Sequence, residues 1–224
     1  MGIESFSRKT SIQQASMAAL IVAVCLLALA SRYTGIASWL ETVSFITGAV
    51  CVWLTVKEKV WNFPISLINA VSYCIVFYEA RLFADAGLQV VYFALSLLGW
   101  YMWLRGGTHK SALRISVASR HELVVIAVFV ALGTLGLWKT LHLYGGSASF
   151  LDALTTSLSL GAQWLLNRKK IQSWILWILV DIIYVPLYVY KNLYLTALLY
   201  AVFLVMAYAG LQHWRKSLAH EATT

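Results

Sequence analysis

Residues 174–190 read "WILWILVDIIYVPLYVY", a run of apolar and aromatic residues with one carboxylate, Asp181, near its centre. A helix rises about 1.5 Å per residue, so this stretch nearly crosses the roughly 30 Å hydrocarbon core of a bilayer. A charged side chain in the middle of a membrane helix costs about 2.5–3.5 kcal/mol or more. Asp181 is therefore expected to face protein or a water-filled cavity, and not lipid.

The composition indicates an integral membrane protein. Hydrophobic residues make up 61% of the chain and charged residues only 12%, whereas soluble domains carry about 25% charged residues. The net charge of +8 comes from basic clusters between apolar segments, which is typical of membrane topology signals and gives no reason to expect nucleic acid as a partner. The three cysteines lie inside apolar segments without metal spacing, so no metal site, cofactor or disulfide framework is expected.

The predicted fold class is all-α, with eight transmembrane helices. The expected spans are residues 14–32, 38–57, 61–79, 82–104, 121–142, 148–167, 173–190 and 192–214. The first span has an alternative interpretation as a signal peptide, because two basic residues precede it and Ala28-Leu29-Ala30 follows its apolar part. The loops on the side of the two termini carry 13 Lys and Arg residues and the opposite loops carry 4, which predicts that both termini are cytoplasmic.

An internal repeat organises the chain. A shift of 111 residues places Trp53 on Trp164 and Trp103 on Trp214, and it holds without gaps across three spans. Two repeats of three helices with one linker helix between them have the same orientation, so a binding site is expected at their interface near the membrane midplane. The predicted regions are an extra N-terminal helix in 1–37, the first repeat in 38–104, a cytoplasmic loop and linker helix in 105–147, the second repeat in 148–214 and a cytoplasmic tail in 215–224.

Polar and aromatic side chains form stripes along several of the predicted helices. At about 100° per residue, Trp174, Trp177, Asp181, Tyr184 and Tyr188 fall within a sector of about 80°. Similar stripes contain Asn69 and Tyr73, Asp85 and Gln89, and Asn192 and Thr196. Ser, Thr, Asn and Gln also join membrane helices by hydrogen bonds, so packing is the alternative for each stripe. Aromatic faces attract cations and stack on flat rings, and the spans have no central Lys or Arg for a phosphate. An unphosphorylated, nucleoside-like ligand fits this inventory, and a sugar fits nearly as well.

The chain over residues 38–214 resembles PnuC-type nicotinamide riboside transporters. The resemblance rests on Leu82-Phe83-Ala84-Asp85 with Leu88-Gln89, on Gly99-Trp100, on Trp174-x-x-Trp177-x-x-x-Asp181, and on Leu193-Tyr194-x-Thr196-Ala197-x-x-Tyr200. It implies a three-plus-one-plus-three fold like that of SWEET transporters, a homotrimer in the lipid of a bacterial inner membrane, and no enzyme activity. It also implies uptake of nicotinamide riboside by facilitated diffusion with alternating access, driven by cytoplasmic phosphorylation of the substrate.

The stripes and the resemblance together give one predicted substrate site and no catalytic residue. Its residues are Asn69, Tyr73, Gln89, Trp100, Trp174, Trp177, Asp181, Tyr184, Tyr188, Asn192 and Thr196. Trp177 with Tyr184 or Tyr188 is expected to pack on the nicotinamide ring, and Trp100 to close the cytoplasmic side. Thiamine or another unphosphorylated nucleoside is the alternative cargo. Proton coupling through Asp85 and Asp181 is a further alternative.

Overall fold

The computed structural model describes residue 19 and residues 21–35, 38–79, 83–143, 150–190 and 194–221. This part of the chain is all-helical and contains eight α-helices. They are α1 (Ile21–Tyr33), α2 (Trp39–Val56), α3 (Asn62–Glu79), α4 (Phe83–Arg105), α5 (Arg120–Leu143), α6 (Phe150–Asn167), α7 (Gln172–Tyr190) and α8 (Tyr194–Glu221). Each helix overlaps one predicted span, and α8 continues past residue 214, where the predicted span ends.

Capping boxes fix the start of two helices. The Ser38 backbone N–H donates to the Glu41 carboxylate over 2.7 Å, and the Glu41 N–H donates to the Ser38 hydroxyl over 3.2 Å. Ser119 and Glu122 form the same reciprocal pair over 2.8 and 3.2 Å. Each pair satisfies N–H groups that a helix start leaves without partners, so α2 and α5 begin directly after a serine.

The helix boundaries follow the internal repeat. A shift of 111 residues carries both ends of α2 onto the ends of α6, and both helices have 18 residues. The same number of residues separates Glu58 from Lys169. It also carries the end of α3 onto the end of α7 and the start of α4 onto the start of α8. Glu58 and Lys169 each follow the end of a helix with positive φ, 56° and 48°. Equivalent helices of the two halves therefore have matching boundaries, while the three-plus-one-plus-three arrangement stays a prediction.

Four helices in the described part of the chain are long and apolar enough to cross a membrane. They contain Trp39–Val56, Ala86–Arg105, Arg120–Thr140 and Ala197–His220, while Ile21–Tyr33 and Gln172–Leu187 are shorter apolar helices. The helices α3 and α6 have a lower mean hydropathy because they contain polar residues such as Asn62, Asn69 and Asn167. These helices establish a multi-pass membrane protein, whereas eight spans stay a prediction.

The chain forms two compact units, and the division falls inside α4 between Ala94 and Leu95. The first unit contains α1 to α3 and the beginning of α4. The second contains the turn Val56–Val60, the rest of α4 and helices α5 to α8. In the second unit α5 packs on α6, α6 on α7 and α7 on α8. Glycines allow close approach here, since a Cβ at Gly161 would lie 3.3 Å from Ile126.

The segment between α4 and α5 lies along the turn between α6 and α7. Ser116 forms an isolated parallel bridge with Lys170. Its N–H donates to the Lys169 carbonyl over 3.1 Å, and its own carbonyl accepts from the Ile171 N–H over 3.0 Å. This segment, predicted only as a cytoplasmic loop, is therefore fixed to the turn between α6 and α7 by backbone hydrogen bonds.

The two prolines have different positions in their helices. Pro64 is the third residue of α3, in the first turn, where a helix loses no internal hydrogen bond to proline. Pro186 lies inside α7. Of the two prolines, only Pro186 therefore interrupts a helix interior.

Candidate functional site

Helix α7 has one buried face and one exposed face. Asp181 is 4% exposed and Trp174 is 2% exposed, whereas Ile182, the next residue after Asp181, is 51% exposed. Leu179 and Ile175 lie on the exposed face with Ile182. The apolar side chains therefore face outward and the carboxylate faces protein, which confirms the orientation that the sequence stripe predicted.

The Asp181 carboxylate has no hydrogen-bond or ion-pair partner among the residues that the structure describes. A buried charge without a partner is costly, because the protein interior replaces its hydration shell with weakly polar surroundings. Buried ionisable groups in membrane helices usually pair with each other or line a path for a substrate or ion. Asp181 is therefore available to a cationic or hydrogen-bonding ligand.

Aromatic rings flank this carboxylate along α7. The Tyr184 ring lies 4.7 Å from the Tyr200 ring of α8, at an interplanar angle of 50°. Tyr200 in turn meets Phe203 edge-on at 5.8 Å. Trp177 and Tyr184 are both half-buried, so part of each ring stays accessible. Trp177 and Tyr184 therefore offer aromatic faces about one helical turn before and after Asp181.

Trp174 packs differently from the rest of its stripe. Its indole lies against the backbone of Gly210 and meets the Trp214 ring edge-on at 5.4 Å. Trp214 also lies 6.0 Å from Trp103. The internal repeat pairs Trp103 with Trp214, but the sequence analysis predicted no role for either residue. The signal that could have identified them is that both lie at the ends of equivalent predicted spans. The Trp174 Nε1 is buried without a hydrogen-bond partner in the described part of the protein.

The first unit contains a separate polar cluster around Asn69. The Asn69 Nδ2 donates to the Ser44 carbonyl over 2.6 Å and to the Thr47 hydroxyl over 3.0 Å, which ties α3 to α2. Tyr73 stacks on Phe77 with ring centroids 5.4 Å apart. Much of the Asn69 side chain therefore serves helix packing, the alternative that its stripe allowed.

The remaining predicted site residues are only partly placed. Gln89 and Trp100 are half-buried on α4, on opposite sides of the division between the two units. Asn192, the Tyr188 side chain and the Thr196 side chain lie outside the described residues. Within the second unit, the structure brings Trp174, Trp177, Asp181 and Tyr184 onto the inward side of α7.

A groove of 740 Å³ between α5, α6 and α7 is a different feature. Apolar side chains such as Ile126, Val130 and Leu176 line it, and none of the predicted site residues does. Ligand sites place a few polar groups among apolar ones to fix orientation. This groove offers little beyond Thr134 and Gln172, so it does not fit a polar cation.

Comparison with known proteins gives one family. The family described as "Nicotinamide mononucleotide transporter" matches residues 38–216. The nicotinamide riboside transporter PnuC of Escherichia coli K12 is 28% identical over 207 residues, with 80% of this chain and 86% of that protein covered. The protein of the same name from Neisseria mucosa is 30% identical over 192 residues, with 80% and 73% covered.

Two further relatives bear on the fold and on the range of ligands. The riboflavin/roseoflavin transporter RibM of Streptomyces davaonensis is 25% identical over 180 residues, with 79% of this chain and 84% of that protein covered. The crystal structure of the vitamin B3 transporter PnuC superposes with a TM-score of 0.73 at 24% identity, with 91% and 92% of the two chains covered. All these relatives are transporters and not enzymes.

Proposed function

We propose that this chain, which belongs to the nicotinamide mononucleotide transporter family, carries nicotinamide riboside across a bacterial inner membrane. The observation that carries the proposal is the buried Asp181, 4% exposed and without a partner among the described residues. Nicotinamide riboside has a pyridinium cation, which a carboxylate and aromatic faces attract together.

Each chemical group of the ligand has a suitable side chain in the predicted set. Trp177 and Tyr184 supply ring faces for the flat pyridinium, and Asp181 supplies the opposite charge. Asn69 and Gln89 supply amides for the carboxamide and the ribose hydroxyls. Tyr73, Trp100, Trp174, Tyr188, Asn192 and Thr196 complete the proposed substrate-binding set.

The riboside is a better candidate than the mononucleotide in the family description. Protein sites hold phosphate with Arg, Lys or exposed backbone N–H groups. The Lys and Arg residues of this chain stand in loops or toward helix ends. In the described part of the chain a phosphate would therefore have no cation near Asp181, and the carboxylate would repel it.

Riboflavin is the second candidate cargo, because the relative RibM, which is 25% identical, is named a riboflavin/roseoflavin transporter. Its flat ring would stack on the same aromatic faces, but it is uncharged and would leave the Asp181 carboxylate without an opposite charge. Thiamine, which is cationic, or another unphosphorylated nucleoside are further alternatives for the same stripe.

The proposed transport cycle is facilitated diffusion with alternating access. Cytoplasmic phosphorylation would convert the product to a form that this site does not hold, and so drive net uptake. Pro186, inside α7, is the proposed hinge, because proline removes a helix hydrogen bond. The basic loops support cytoplasmic termini, and the family resemblance supports a homotrimer with eight spans per chain.

Transport by the purified protein in liposomes tests the proposal directly. Labelled nicotinamide riboside should exchange across the membrane at a saturable rate that an imposed pH gradient does not change. Unlabelled nicotinamide riboside should compete, and nicotinamide mononucleotide should not. Exchange of riboflavin or thiamine without exchange of nicotinamide riboside would contradict the proposed cargo while leaving the carrier function in place.

A further inference from the structure

A single acidic side chain ties together three segments at one end of the second unit. Glu58 lies in the turn that joins α2 to α3, with φ of 56°. Its Oε2 lies 3.3 Å from Lys169 Nζ, and its Oε1 accepts a hydrogen bond from the Ser217 hydroxyl over 3.0 Å. Both carboxylate oxygens are therefore occupied, one by the turn between α6 and α7 and the other by α8.

The Lys169 ammonium group contacts both the Glu58 carboxylate and the ring of Trp103. Lys169 is only 8% exposed, and its ammonium group lies 4.6 Å from the centroid of the Trp103 ring. A lysine so poorly hydrated depends on its carboxylate and on the indole face for stabilisation, since solvent supplies little. Such a pair is coupled more strongly than an exposed ion pair, whose contribution is close to zero.

The pair joins equivalent positions of the internal repeat. Glu58 and Lys169 are 111 residues apart, the repeat offset, and they lie in the equivalent triplets Lys57-Glu58-Lys59 and Arg168-Lys169-Lys170. Five of these six residues are basic, and the one acid stands where the two turns meet. A general need for positive charge in these loops does not explain the acid at that position.

The same cluster connects to the proposed substrate stripe through indole rings. Trp103, under the Lys169 ammonium, contacts Trp214 at 6.0 Å, and Trp214 contacts Trp174 at 5.4 Å. Trp174 begins the α7 stripe that contains Asp181. A displacement of α7 would therefore disturb the rings that support the ion pair.

We infer that Glu58 and Lys169 form a gating clasp, which closes the end of the carrier with the basic loops and opens once in each transport cycle. The inference rests on the proposed carrier function and adds the residues that control one of its two openings. With the clasp closed, the α2–α3 turn is fixed to the α6–α7 turn and to α8. With it open, these contacts are lost together. Removing the clasp shifts the balance between closed and open forms without touching the ligand.

The test compares Glu58→Gln, Lys169→Met and the charge reversal Glu58→Lys with Lys169→Glu. Each single variant should change the rate of nicotinamide riboside exchange in liposomes by about fivefold or more, the size of a typical coupling between sites. The reversal should recover part of the lost rate, because it restores opposite charges, although it places a carboxylate over the Trp103 ring where the ammonium lay. Lys59→Met, an exposed neighbour in the same turn, is the matched control and should leave the rate unchanged.

Amide hydrogen exchange gives a second measurement that needs no ligand. Exchange at residues 57–60 and 168–171 should rise in both single variants and fall again in the reversal. Unchanged amide hydrogen exchange would overturn the clasp as a gate. Faster amide exchange with an unchanged transport rate in a folded variant would overturn it as well. If the wild-type protein carries no nicotinamide riboside, the proposed cargo is wrong, and the amide hydrogen exchange of the ligand-free variants still tests the clasp separately.

Discussion

The indole ring of Trp174 lies so close to Gly210 that a Cβ at residue 210 would be 2.6 Å from the ring. Real side chains do not tolerate this distance, so α7 and α8 approach each other here only because residue 210 is glycine. The position of Trp174, at the start of the α7 stripe, thus depends on a residue without a side chain in the neighbouring helix.

Gly210→Ala is predicted to lower stability. Overpacking of a well-packed contact costs about 1–3 kcal/mol, measured as thermal unfolding of the purified protein in detergent. Gly136→Ala on α5 is the matched control, because a Cβ there meets nothing within 4 Å. That variant should keep or slightly raise the unfolding temperature, since alanine favours the helix. Equal stability of both variants would contradict the packing described.

Asn69→Ala is predicted to weaken both the fold and the ligand complex. Its two hydrogen bonds to α2 contribute about 0.5–1.7 kcal/mol, the range for interhelical bonds in membrane proteins. Thr47→Val removes only the acceptor of one of these bonds. It should lower the unfolding temperature less and leave the dissociation constant unchanged. If Asn69→Ala also left the dissociation constant unchanged, its amide would serve packing alone.

Tyr184→Leu is predicted to weaken ligand binding, while Tyr184→Phe should keep most of it. In the proposed complex the Tyr184 ring stacks on the ligand ring, and a pair of aromatic rings contributes about 0.5–1.5 kcal/mol beyond simple burial. Calorimetry should therefore show a dissociation constant up to about tenfold higher for the leucine variant. Tyr208→Leu, at a residue 58% exposed on α8, is the control and should bind normally. If both leucine variants lost ligand affinity equally, Tyr184 would not be a ligand-binding residue.

Much of the fold could be predicted from hydrophobic pattern and repetition. Long apolar runs predicted the helices, because backbone N–H and C=O groups inside a bilayer can form hydrogen bonds only with other backbone groups, as they do in a helix. The ungapped offset predicted the equivalent helix boundaries. The buried direction of Asp181 followed from the cost of exposing a carboxylate to lipid. These predictions succeed because each depends on a local pattern or on a large energy.

Other features depend on contacts between distant segments, which one sequence does not specify. The docking of Ser116 on the turn at Lys170 involves backbone groups, and backbone groups leave no pattern in the sequence. The use of Asn69 to bind α2, and of Trp174 to pack on Gly210, depends on helix approach. Whether Pro64 breaks a hydrogen bond depends on the residue at which α3 starts, and a hydrophobic pattern does not fix a helix end to one residue.

The charge of the ligand ring gives the sharpest test of the central claim, that Asp181 binds a cationic pyridinium. Calorimetry would compare nicotinamide riboside with its dihydro form, which keeps the carboxamide and ribose but has a neutral ring. The wild-type protein should bind the cation at least about tenfold more tightly, the effect of one buried charged contact. Asp181→Asn should lose that preference while staying folded, and Leu179→Ala, on the exposed face of α7, should retain it. A folded Asp181→Asn variant that still prefers the cation tenfold would contradict the account.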